Sequence, residues 1–407
     1  MSAFYDELET RSADARAADL ARALPEQVAR AQAGAPGMAA LLDGVAAGEI
    51  TDAAALARLP VLRKSELGRA QAADAPFGGF TTRGVAEMEH VFQSPGPLYE
   101  PGRTSHDWWR MGRFLNACGI GAGDIVQNCF SYHLTPAGMI FENGARAVGA
   151  TVLPAGTGQT ELQARAAHDI GVTGYAGTPD YLKVILDKAD EMGLRLRIAK
   201  AAVGGGALFP SLRQEYADRG IACLQCYATA DLGNIAYESL AMEGLIVDEG
   251  VIVEIVTPGT GDPVPEGQVG EVLVTTLNPD YPLIRFATGD LSAVLPGQSP
   301  CGRTNTRIRG WMGRADQTTK IKGMFVRPEQ VADFVARHPE VVRARVIATR
   351  EGEMDAMTVQ VEAEGGDAAA FEASLADVMK LKGTVEIVAL GSLPNDGKVI
   401  DDQRVYE

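Results

Sequence analysis

The chain has 407 residues, 46% hydrophobic and 22% charged, and its 37 basic and 53 acidic side chains give a formal charge of −16 at pH 7. This balance is that of a globular protein and excludes a disordered or fibrous chain. The negative charge argues against a broad interface with nucleic acid or an anionic membrane, because a phosphate backbone needs a basic face. It leaves room for a small basic site that binds a nucleotide.

The sequence also indicates a compartment. No apolar run approaches the roughly 20 residues that a membrane-spanning helix needs. Residues 1–11 lack the basic and then apolar layout of a secretion signal. The cysteines are few, odd in number and scattered, so a disulfide framework is not expected. They are Cys118, Cys129, Cys223, Cys226 and Cys301. We therefore expect a soluble, cytoplasmic protein.

Residues 1–90 are predicted to be mainly helical. Ser12 is the expected N-cap of a helix in which Leu24 and Val28 recur on one face. Pro25 is predicted to end this helix and open the next one, because proline suits a first helical turn. Residues 59–67 are interpreted as a short linker that runs into a new helix.

From residue 91 to 206, strands alternate with helices. Strands are predicted at 124–130, 150–154 and 172–175, and helices at 139–147, 161–169 and 180–192. This alternation predicts βαβ units and a largely parallel sheet. In such a sheet, ligands bind at the loops beyond the carboxyl ends of the strands.

The remainder of the chain changes pattern twice. Strands at 251–256 and 270–276, separated by a turn rich in Gly and Pro, predict an antiparallel subdomain. After Arg314 the rhythm is β-α-β-β-α-β, which predicts a small α+β domain. Its helices are predicted at 328–337 and 367–379, and its strands at 342–349, 356–364 and 385–390. We therefore predict an α/β protein with a domain boundary at residues 315–317.

Four short segments contain chemically useful residues, and each alone also has an ordinary explanation. In residues 281–290 (YPLIRFATGD), Asp290 could accept two hydrogen bonds from a ribose diol, or could simply belong to a Thr-Gly-Asp turn. In residues 313–323 (GRADQTTKIKG), the cations could neutralise phosphate, or the segment could be a solvated linker.

The other two segments are equally ambiguous by themselves. In residues 227–231 (YATAD), Asp231 could bind Mg²⁺ beside nucleotide phosphates, or be a solvated loop acid. Residues 393–399 (LPNDGKV) contain Lys398, and a lone Gly-Lys pair carries no meaning.

Together and in this order, the four segments resemble the adenylate-forming superfamily of acyl-CoA synthetases, luciferases and peptide-synthetase adenylation domains. Within it the sequence is most similar to the phenylacetate–CoA ligase family. Residues 156–161 (GTGQTE), 177–182 (GTPDYL) and 282–286 (PLIRF) add to the likeness, which covers nearly the whole chain. The resemblance implies an N-terminal adenylate-forming domain (1–314) with parallel-sheet βαβ units and a β-subdomain, a hinge (315–317) and a small C-terminal α+β lid (318–407).

The resemblance also implies two half-reactions. A carboxylate attacks the α-phosphate of ATP and releases pyrophosphate, and the CoA thiolate then displaces AMP. Lys398 corresponds to the residue that bridges the attacking carboxylate and the α-phosphate, while Asp290 would hold the ribose hydroxyls and Arg314 the ribose or a phosphate. Asp316 corresponds to the hinge, and Gly323 to the loop brought in for thioester formation.

Further residues are assigned on the same basis. Gly204, Gly205 and Gly206 match the adenine-side loop, with Tyr227 stacking on the base. Asp231 stands where the family motif has a glutamate and would bind Mg²⁺.

The acyl pocket is assigned to Tyr132, His133 and Thr135, after the strand that ends near Phe130. His133 would gate the carboxylate, or be a surface or helix-capping histidine. Thr135 falls where aryl-specific relatives place a bulky apolar residue, so the acid is expected to be smaller, more polar or differently shaped than phenylacetate.

The phosphate loop departs from the family pattern. The corresponding stretch, residues 92–101 (FQSPGPLYEP), retains Ser94 and Gly96 but has no lysine. Its prolines cannot donate backbone N–H groups. Glu100 would repel a pyrophosphate.

A zinc site is not expected. Some relatives carry a structural zinc in the β-subdomain. Of the matching positions, Ser239, Ile246, Ser299 and Cys301, only the last is a zinc-ligand type. The Cys-x-x-Cys at 223–226 sits on an apparent strand, and buried free cysteines are the better interpretation.

The sequence therefore predicts a ligase that activates an aromatic or other small carboxylic acid with ATP and Mg²⁺ and transfers the acyl group to CoA. The expected partners are these small molecules, with no nucleic acid and no membrane, and a homodimer is left open. One alternative is a non-catalytic or repurposed protein that binds an acyl or nucleotide ligand, suggested by the altered phosphate loop. Another is adenylation followed by transfer to an acceptor other than CoA.

Overall fold

The computed structural model describes residues 3–94, 98–206, 208–315, 317, 319–321, 324–351, 354–394, 396 and 398–404. Within these ranges, none of the helices combines the length and apolar character needed to cross a membrane. The chain divides into two compact units. The first unit comprises Met1–Glu254, Leu273–Ala287 and Leu295–Gly310, and the second comprises Ile255–Val272, Thr288–Val294 and Trp311–Glu407.

Helices and strands follow one another along the whole chain. Up to residue 247 they are α1 (Ala13–Gly34), α2 (Pro36–Leu41), α3 (Ala53–Leu56), β1 (Leu62–Arg63), α4 (Lys64–Ala73), β2 (His90–Ser94), β3 (Leu98–Gly102), α5 (Met111–Ala117), β4 (Ile125–Asn128), α6 (Ala137–Ala147), β5 (Thr151–Pro154), α7 (Thr160–Ile170), β6 (Gly174–Gly177), α8 (Pro179–Glu191), β7 (Lys200–Val203), α9 (Pro210–Asp218), β8 (Ala222–Thr229), β9 (Gly233–Tyr237) and β10 (Leu245–Val247). Beyond it they are β11 (Val251–Val256), β12 (Val269–Thr276), β13 (Phe286–Leu295), β14 (Arg307–Ile308), β15 (Thr319–Ile321), β16 (Met324–Val326), α10 (Pro328–Arg337), β17 (Val341–Glu351), β18 (Met354–Ala363), α11 (Ala368–Met379), β19 (Thr384–Val388) and β20 (Ile400–Asp402).

The first unit is built on a sheet whose centre is parallel, as predicted. Strands β5, β4, β6, β7 and β8 lie side by side in that order, and every pair among them is parallel. The sheet continues through the antiparallel pairs β8–β9, β9–β10 and β10–β14. The alternation of strand and helix in the sequence therefore produced the βαβ arrangement expected of it.

Helices cover both faces of this parallel sheet. Successive residues of a strand point to opposite faces, and Ala202 and Ala201 on β7 belong to different apolar clusters. The first cluster contains side chains of α5 and α6, and the second contains side chains of α7, α8 and α9. Because both faces are filled with apolar side chains, polar chemistry in this part of the unit is confined to the loops at the strand ends.

The prediction for Pro25 was wrong, although the start of its helix was right. The Ser12 hydroxyl caps α1 by accepting a hydrogen bond from the Ala15 N–H at 3.1 Å. The helix then continues through Pro25 to its end at Gly34. Leu24 and Val28, on either side of the proline, are both fully buried. Burial of this helix face outweighs the hydrogen bond that proline removes.

The second unit contains the predicted α+β segment. Its four-stranded sheet has the order β19–β18–β17–β20, with β17 and β18 antiparallel and the outer pairs parallel. Helix α10 has the bounds that the sequence predicts. Phe334 of α10 packs edge to face on Phe371 of α11, with the two ring centroids 6.0 Å apart, and both rings are buried against the sheet.

Phe334→Ala tests this packing. The ring is fully buried, and its loss removes apolar contacts and leaves a cavity, so we expect a loss of about 3–5 kcal/mol in the free energy of unfolding of the second unit. Urea unfolding followed by circular dichroism measures it. Ile387→Ala, at a more exposed position of the same sheet, is the control and should cost well under half as much. Equal losses in both variants would contradict the proposed core.

Candidate functional site

The carboxyl ends of the central parallel strands carry most of the residues assigned to the first unit. Residues 129–135 follow β4, residues 204–206 follow β7, and Asp231 follows β8 by two residues. The strands are in parallel register, so these loops share one edge of the sheet. An added Cβ at Gly205 would lie 3.7 Å from the Phe130 ring, which shows how closely two of the loops approach each other.

The predicted acyl-pocket residues lie in the loop between β4 and α6. The Tyr132 hydroxyl accepts a hydrogen bond from Asn128 Nδ2 at 2.8 Å and donates one to Glu142 at 2.9 Å. Burial and the neighbouring Glu142 raise the pKa of this phenol. Tyr132 is therefore fixed in place, whereas His133 is exposed and Thr135 is half-buried.

The glycine segment after β7 has the geometry of a tight loop. Gly205 adopts a left-handed backbone with φ of 69°, which glycine reaches without steric strain. At Gly204 an added Cβ would approach the Cys226 sulfur at 3.0 Å, so the loop lies close to β8. Gly206 completes the segment, and Tyr227 on β8 is buried.

The described parts of the altered phosphate-loop segment, residues 92–94 and 98–101, lie on β2 and β3, an antiparallel pair that we call the β2–β3 hairpin. Ser94, the last residue of β2, pairs in register with Leu98, and its hydroxyl donates a hydrogen bond of 2.6 Å to Glu100 Oε1. Glu100 is only 1% exposed. Gly96 lies outside the described residues. The Glu100 carboxyl is therefore held inside the unit and does not project into solvent. The residue that holds it is Ser94, the serine that the family pattern would place on phosphate.

Glu100 belongs to a buried polar cluster with Asp231, Lys64 and Tyr281. Lys64 Nζ, in the first turn of α4, donates to Asp231 Oδ2 at 3.0 Å. Asp231 is 6% and Tyr281 2% exposed. Within the described part of the chain, Glu100 Oε2, Asp231 Oδ1 and the Tyr281 hydroxyl are buried without a hydrogen-bond partner. We call these four residues the acid cluster.

The charges in the acid cluster act on one another. Burial, reinforced by the charge of Asp231, raises the pKa of Glu100 to about 7, while Ser94 and Lys64 oppose the shift. Burial and the two carboxyls also raise the pKa of Tyr281. At neutral pH, Glu100 is therefore divided between a neutral and an ionised form.

Asp231 satisfies the chemical requirements of the Mg²⁺ ligand predicted from the sequence. Mg²⁺ prefers carboxylate oxygens and usually keeps several waters, so one or two protein ligands are enough. Asp231 offers an unpartnered oxygen, Oδ1, while Lys64 occupies the other. The residues present therefore fit a hydrated Mg²⁺.

In the second unit, Asp290 and Arg314 form an ion pair. Arg314 Nη1 donates to Asp290 Oδ1 at 3.1 Å, and Trp311 Nε1 donates to the same oxygen at 3.1 Å. Gly289 has a left-handed backbone with φ of 73°, and an added Cβ there would lie 2.8 Å from Arg314 Nη2. Only glycine at this position lets the guanidinium lie against the turn.

Lys398 lies in a groove of the same unit. Lys398 Nζ bonds to Asp401 Oδ1 at 2.9 Å. Hydrogen bonds from Gln403 and Lys398 and the nearby Arg345 lower the pKa of Asp401 to about 2. The groove has a volume of about 470 Å³ and is lined by Arg314, Gln317, Asp396, Lys398, Ile400, Asp401 and Asp402. Two residues assigned to ATP, Arg314 and Lys398, therefore line one groove.

Sequence identity with a known enzyme identifies the family of this chain. No protein-family model matches the chain. The chain is 30% identical to the phenylacetate–coenzyme A ligase of Escherichia coli (strain K12) over 310 residues, which cover 70% of this chain and 69% of that enzyme. The chain belongs to the phenylacetate–CoA ligase family.

Other known proteins agree with this assignment. The phenylacetate–coenzyme A ligase of Thermus thermophilus is 29% identical over 324 residues, 75% of this chain and 72% of that enzyme. An open conformation of 2-hydroxyisobutyryl-CoA ligase, solved with 2-HIB-AMP and CoA, matches with a TM-score of 0.79 at 22% identity over 99% of this chain and 95% of that chain. At this identity the structural likeness shows the fold alone, and it confirms the adenylate-forming fold predicted from the sequence.

Three residues that lie beside the assigned site residues were given no role in the sequence analysis. Lys64 and Tyr281 join the acid cluster from 167 and 50 residues away from Asp231 in the chain. Gln317 Oε1 accepts the N–H groups of Val399 and Ile400 at 2.6 and 3.2 Å, beside Lys398. No local pattern could have indicated Lys64, which begins an ordinary helix. Asp316 and Gly323, assigned to the hinge and the thioester loop, lie outside the described residues.

Ser94→Ala tests the burial of Glu100. The change removes the hydroxyl that bonds Glu100 Oε1, and weakening the hydrogen bonding of a buried carboxyl should lower the free energy of unfolding by about 1–3 kcal/mol. Denaturant unfolding at neutral pH measures the loss. Ser211→Ala, at an exposed position of α9, is the control and should change stability little. An unchanged stability in Ser94→Ala would show that Glu100 does not depend on this hydroxyl.

Proposed function

We propose that this chain activates a small carboxylic acid with ATP, forming an acyl-adenylate, and transfers the acyl group to CoA. Membership of the phenylacetate–CoA ligase family supports this proposal. The single structural observation that carries it is the groove in the second unit that Arg314 and Lys398 both line. An arginine and a lysine in one groove provide two cations for a phosphoryl centre, which would have to share them with the aspartates that pair with them or line the groove.

The first half-reaction needs a cation at the reacting phosphate. A carboxylate oxygen of the acid forms a bond to the α-phosphorus, and the bond to pyrophosphate breaks. In the proposal, Lys398 bridges the acid and the α-phosphate. Asp401 holds the Lys398 ammonium at 2.9 Å, and Gln317 holds the backbone of the next two residues. The lysine is thereby kept at the groove while its long side chain remains half exposed.

The nucleotide contacts are proposed by motif. Asp290 would accept from the ribose hydroxyls and Arg314 would contact the ribose or a phosphate, while Gly204, Gly205 and Gly206 would border the adenine and Tyr227 would stack on it. Bound Mg²⁺ would neutralise phosphate charge at Asp231. Of the phosphate-loop residues, Ser94 has its hydroxyl hydrogen directed at Glu100 in the structure, so it would have to turn away to donate to a phosphate.

The acid is proposed to be small and at least partly polar. Tyr132 presents a phenol fixed by Asn128 and Glu142, and Thr135 contributes a hydroxyl rather than a large apolar group. His133, exposed at the loop, would gate the carboxylate. In the second half-reaction the CoA sulfur would bond to the acyl carbon and AMP would leave, with Gly323 on the loop that serves this step.

One observation favours a second candidate function. Glu100 brings a second acid beside Asp231 in the segment where the family places its phosphate loop. A chain that binds AMP or an acyl ligand without turning ATP over would explain this feature. Calorimetric titrations with AMP and with ATP, together with pyrophosphate release, separate the two functions. Replacing CoA by other acceptors would identify transfer to an amine or a carrier protein.

The larger-scale predictions form part of the same proposal. We propose that the chain has an N-terminal domain of residues 1–314 and a lid of residues 318–407. In this proposal the lid changes position between the two half-reactions by moving about a hinge at residues 315–317, around Asp316. A cytoplasmic location, the absence of nucleic-acid and membrane partners, and a homodimer also stay predictions.

Lys398→Ala tests the proposed chemistry. Removing the ammonium should abolish ATP–pyrophosphate exchange with a panel of small acids but leave thioester formation from a supplied acyl-adenylate and CoA nearly unchanged, because only the first step is a displacement at the phosphorus and the second is a displacement at the acyl carbon. Both half-reactions are measured separately. Lys382→Ala, an exposed lysine of the same unit, is the control. Equal loss of both half-reactions would contradict the role of Lys398, and no exchange by the wild-type chain with any acid would contradict the ligase.

A further inference from the structure

The acid cluster contains more buried polar atoms than its own members satisfy. Glu100 Oε2, Asp231 Oδ1 and the Tyr281 hydroxyl are each buried, and within the described ranges none has a hydrogen-bond partner. Their residues are at least 94% buried. Buried polar groups in native proteins are nearly always paired with protein, water or an ion. Three such atoms in one cluster indicate that a ligand able to bind to oxygen atoms occupies this place.

The charge of the cluster indicates the kind of ligand. Lys64 pairs with Asp231 through Oδ2 and neutralises one carboxylate. Glu100 has a hydroxyl donor, Ser94, but no direct ion pair among the residues that the structure describes. With both carboxyls ionised, the cluster has one negative charge in excess, which either a proton or a bound cation would neutralise.

The donor atoms narrow the choice further. The two unpartnered carboxylate oxygens are hard ligands, which suit Mg²⁺, Mn²⁺ or Ca²⁺ rather than a metal that prefers thiolates. No group of three or more His, Cys, Asp or Glu side chains suited to a metal occurs among the described residues. A cation here would therefore keep water molecules in its remaining positions, as Mg²⁺ usually does.

We propose that Glu100 and Asp231 together bind a divalent cation through Glu100 Oε2 and Asp231 Oδ1 in the absence of any nucleotide. Glu100 is then a metal ligand rather than a group that merely repels phosphate. The Lys64 ammonium competes with the ion for Asp231, because it already holds the other oxygen of that carboxylate. This inference rests on the proposed function, which already places Mg²⁺ at Asp231, and deepens it by adding Glu100 as a second ligand that needs neither ATP nor an acid.

Titration of the metal-stripped full chain with Mn²⁺ alone tests the site, with free Mn²⁺ followed by electron paramagnetic resonance. The wild-type chain should bind one Mn²⁺, and Mg²⁺ should displace it. Glu100→Gln keeps the shape and removes the charge, and it should weaken binding by about tenfold or more, as should Asp231→Asn. Glu161→Gln, an exposed acid on α7, is the matched control and should bind as the wild type does.

Lys64→Met provides a second variant with the opposite expected sign. Removal of the competing ammonium should tighten Mn²⁺ binding, and thermal unfolding in chelator verifies that each variant is folded. A wild-type chain that binds no Mn²⁺ would show that a proton alone neutralises Glu100, and would overturn the proposal. Wild-type affinity in Glu100→Gln, or unaltered affinity in Lys64→Met, would also overturn it by placing the ion elsewhere. None of these measurements uses ATP, so failure of the ligase proposal would leave them interpretable.

Discussion

The parallel pairing of β4, β6, β7 and β8 is the constraint on which the candidate site of the first unit depends. The register joins Asn128 to Ala176, Ala176 to Ala202 and Ala202 to Leu224, so β4, β6 and β7 end close to the same level, while β8 continues beyond it to Thr229. Apolar side chains occupy both faces of this sheet. Polar ligand recognition is therefore expected near the carboxyl ends of these strands, where the assigned acyl-pocket and glycine-loop residues follow β4 and β7 and where Tyr227 lies on the extended β8.

The acid cluster adds chain segments that the parallel sheet does not contain. Lys64 begins α4 immediately after β1, which pairs with β13. Glu100 comes from the β2–β3 hairpin, and Tyr281 lies between β12 and β13. These segments converge on Asp231, whose position is set by β8. The end of β8 therefore positions Asp231, and the surrounding segments provide the charged and polar groups around it.

The sequence could predict the periodic features of the fold but not the contacts between distant segments. The helices α6, α7, α8 and α10 were predicted within two residues at each end because their apolar spacing is local information. Pro25 was misjudged because the burial of Leu24 and Val28 depends on the folded chain. Glu100 was recognised as a departure from the family pattern. Its hydrogen bond with Ser94 required the hairpin register, and its link to Lys64 required the tertiary fold.

In the second unit, local contacts hold two cationic side chains in defined positions. Arg314 is fixed by Asp290, and Gly289 gives its guanidinium room against the turn. Lys398 is held by Asp401, a carboxylate that stays ionised because hydrogen bonds from Gln403 and Lys398 lower its pKa. Each cation is therefore positioned by an acid that also lowers its effective charge. In the proposed function, a phosphate approaching this groove would exchange part of these contacts for its own, and the strength of the two ion pairs would then help to determine nucleotide affinity.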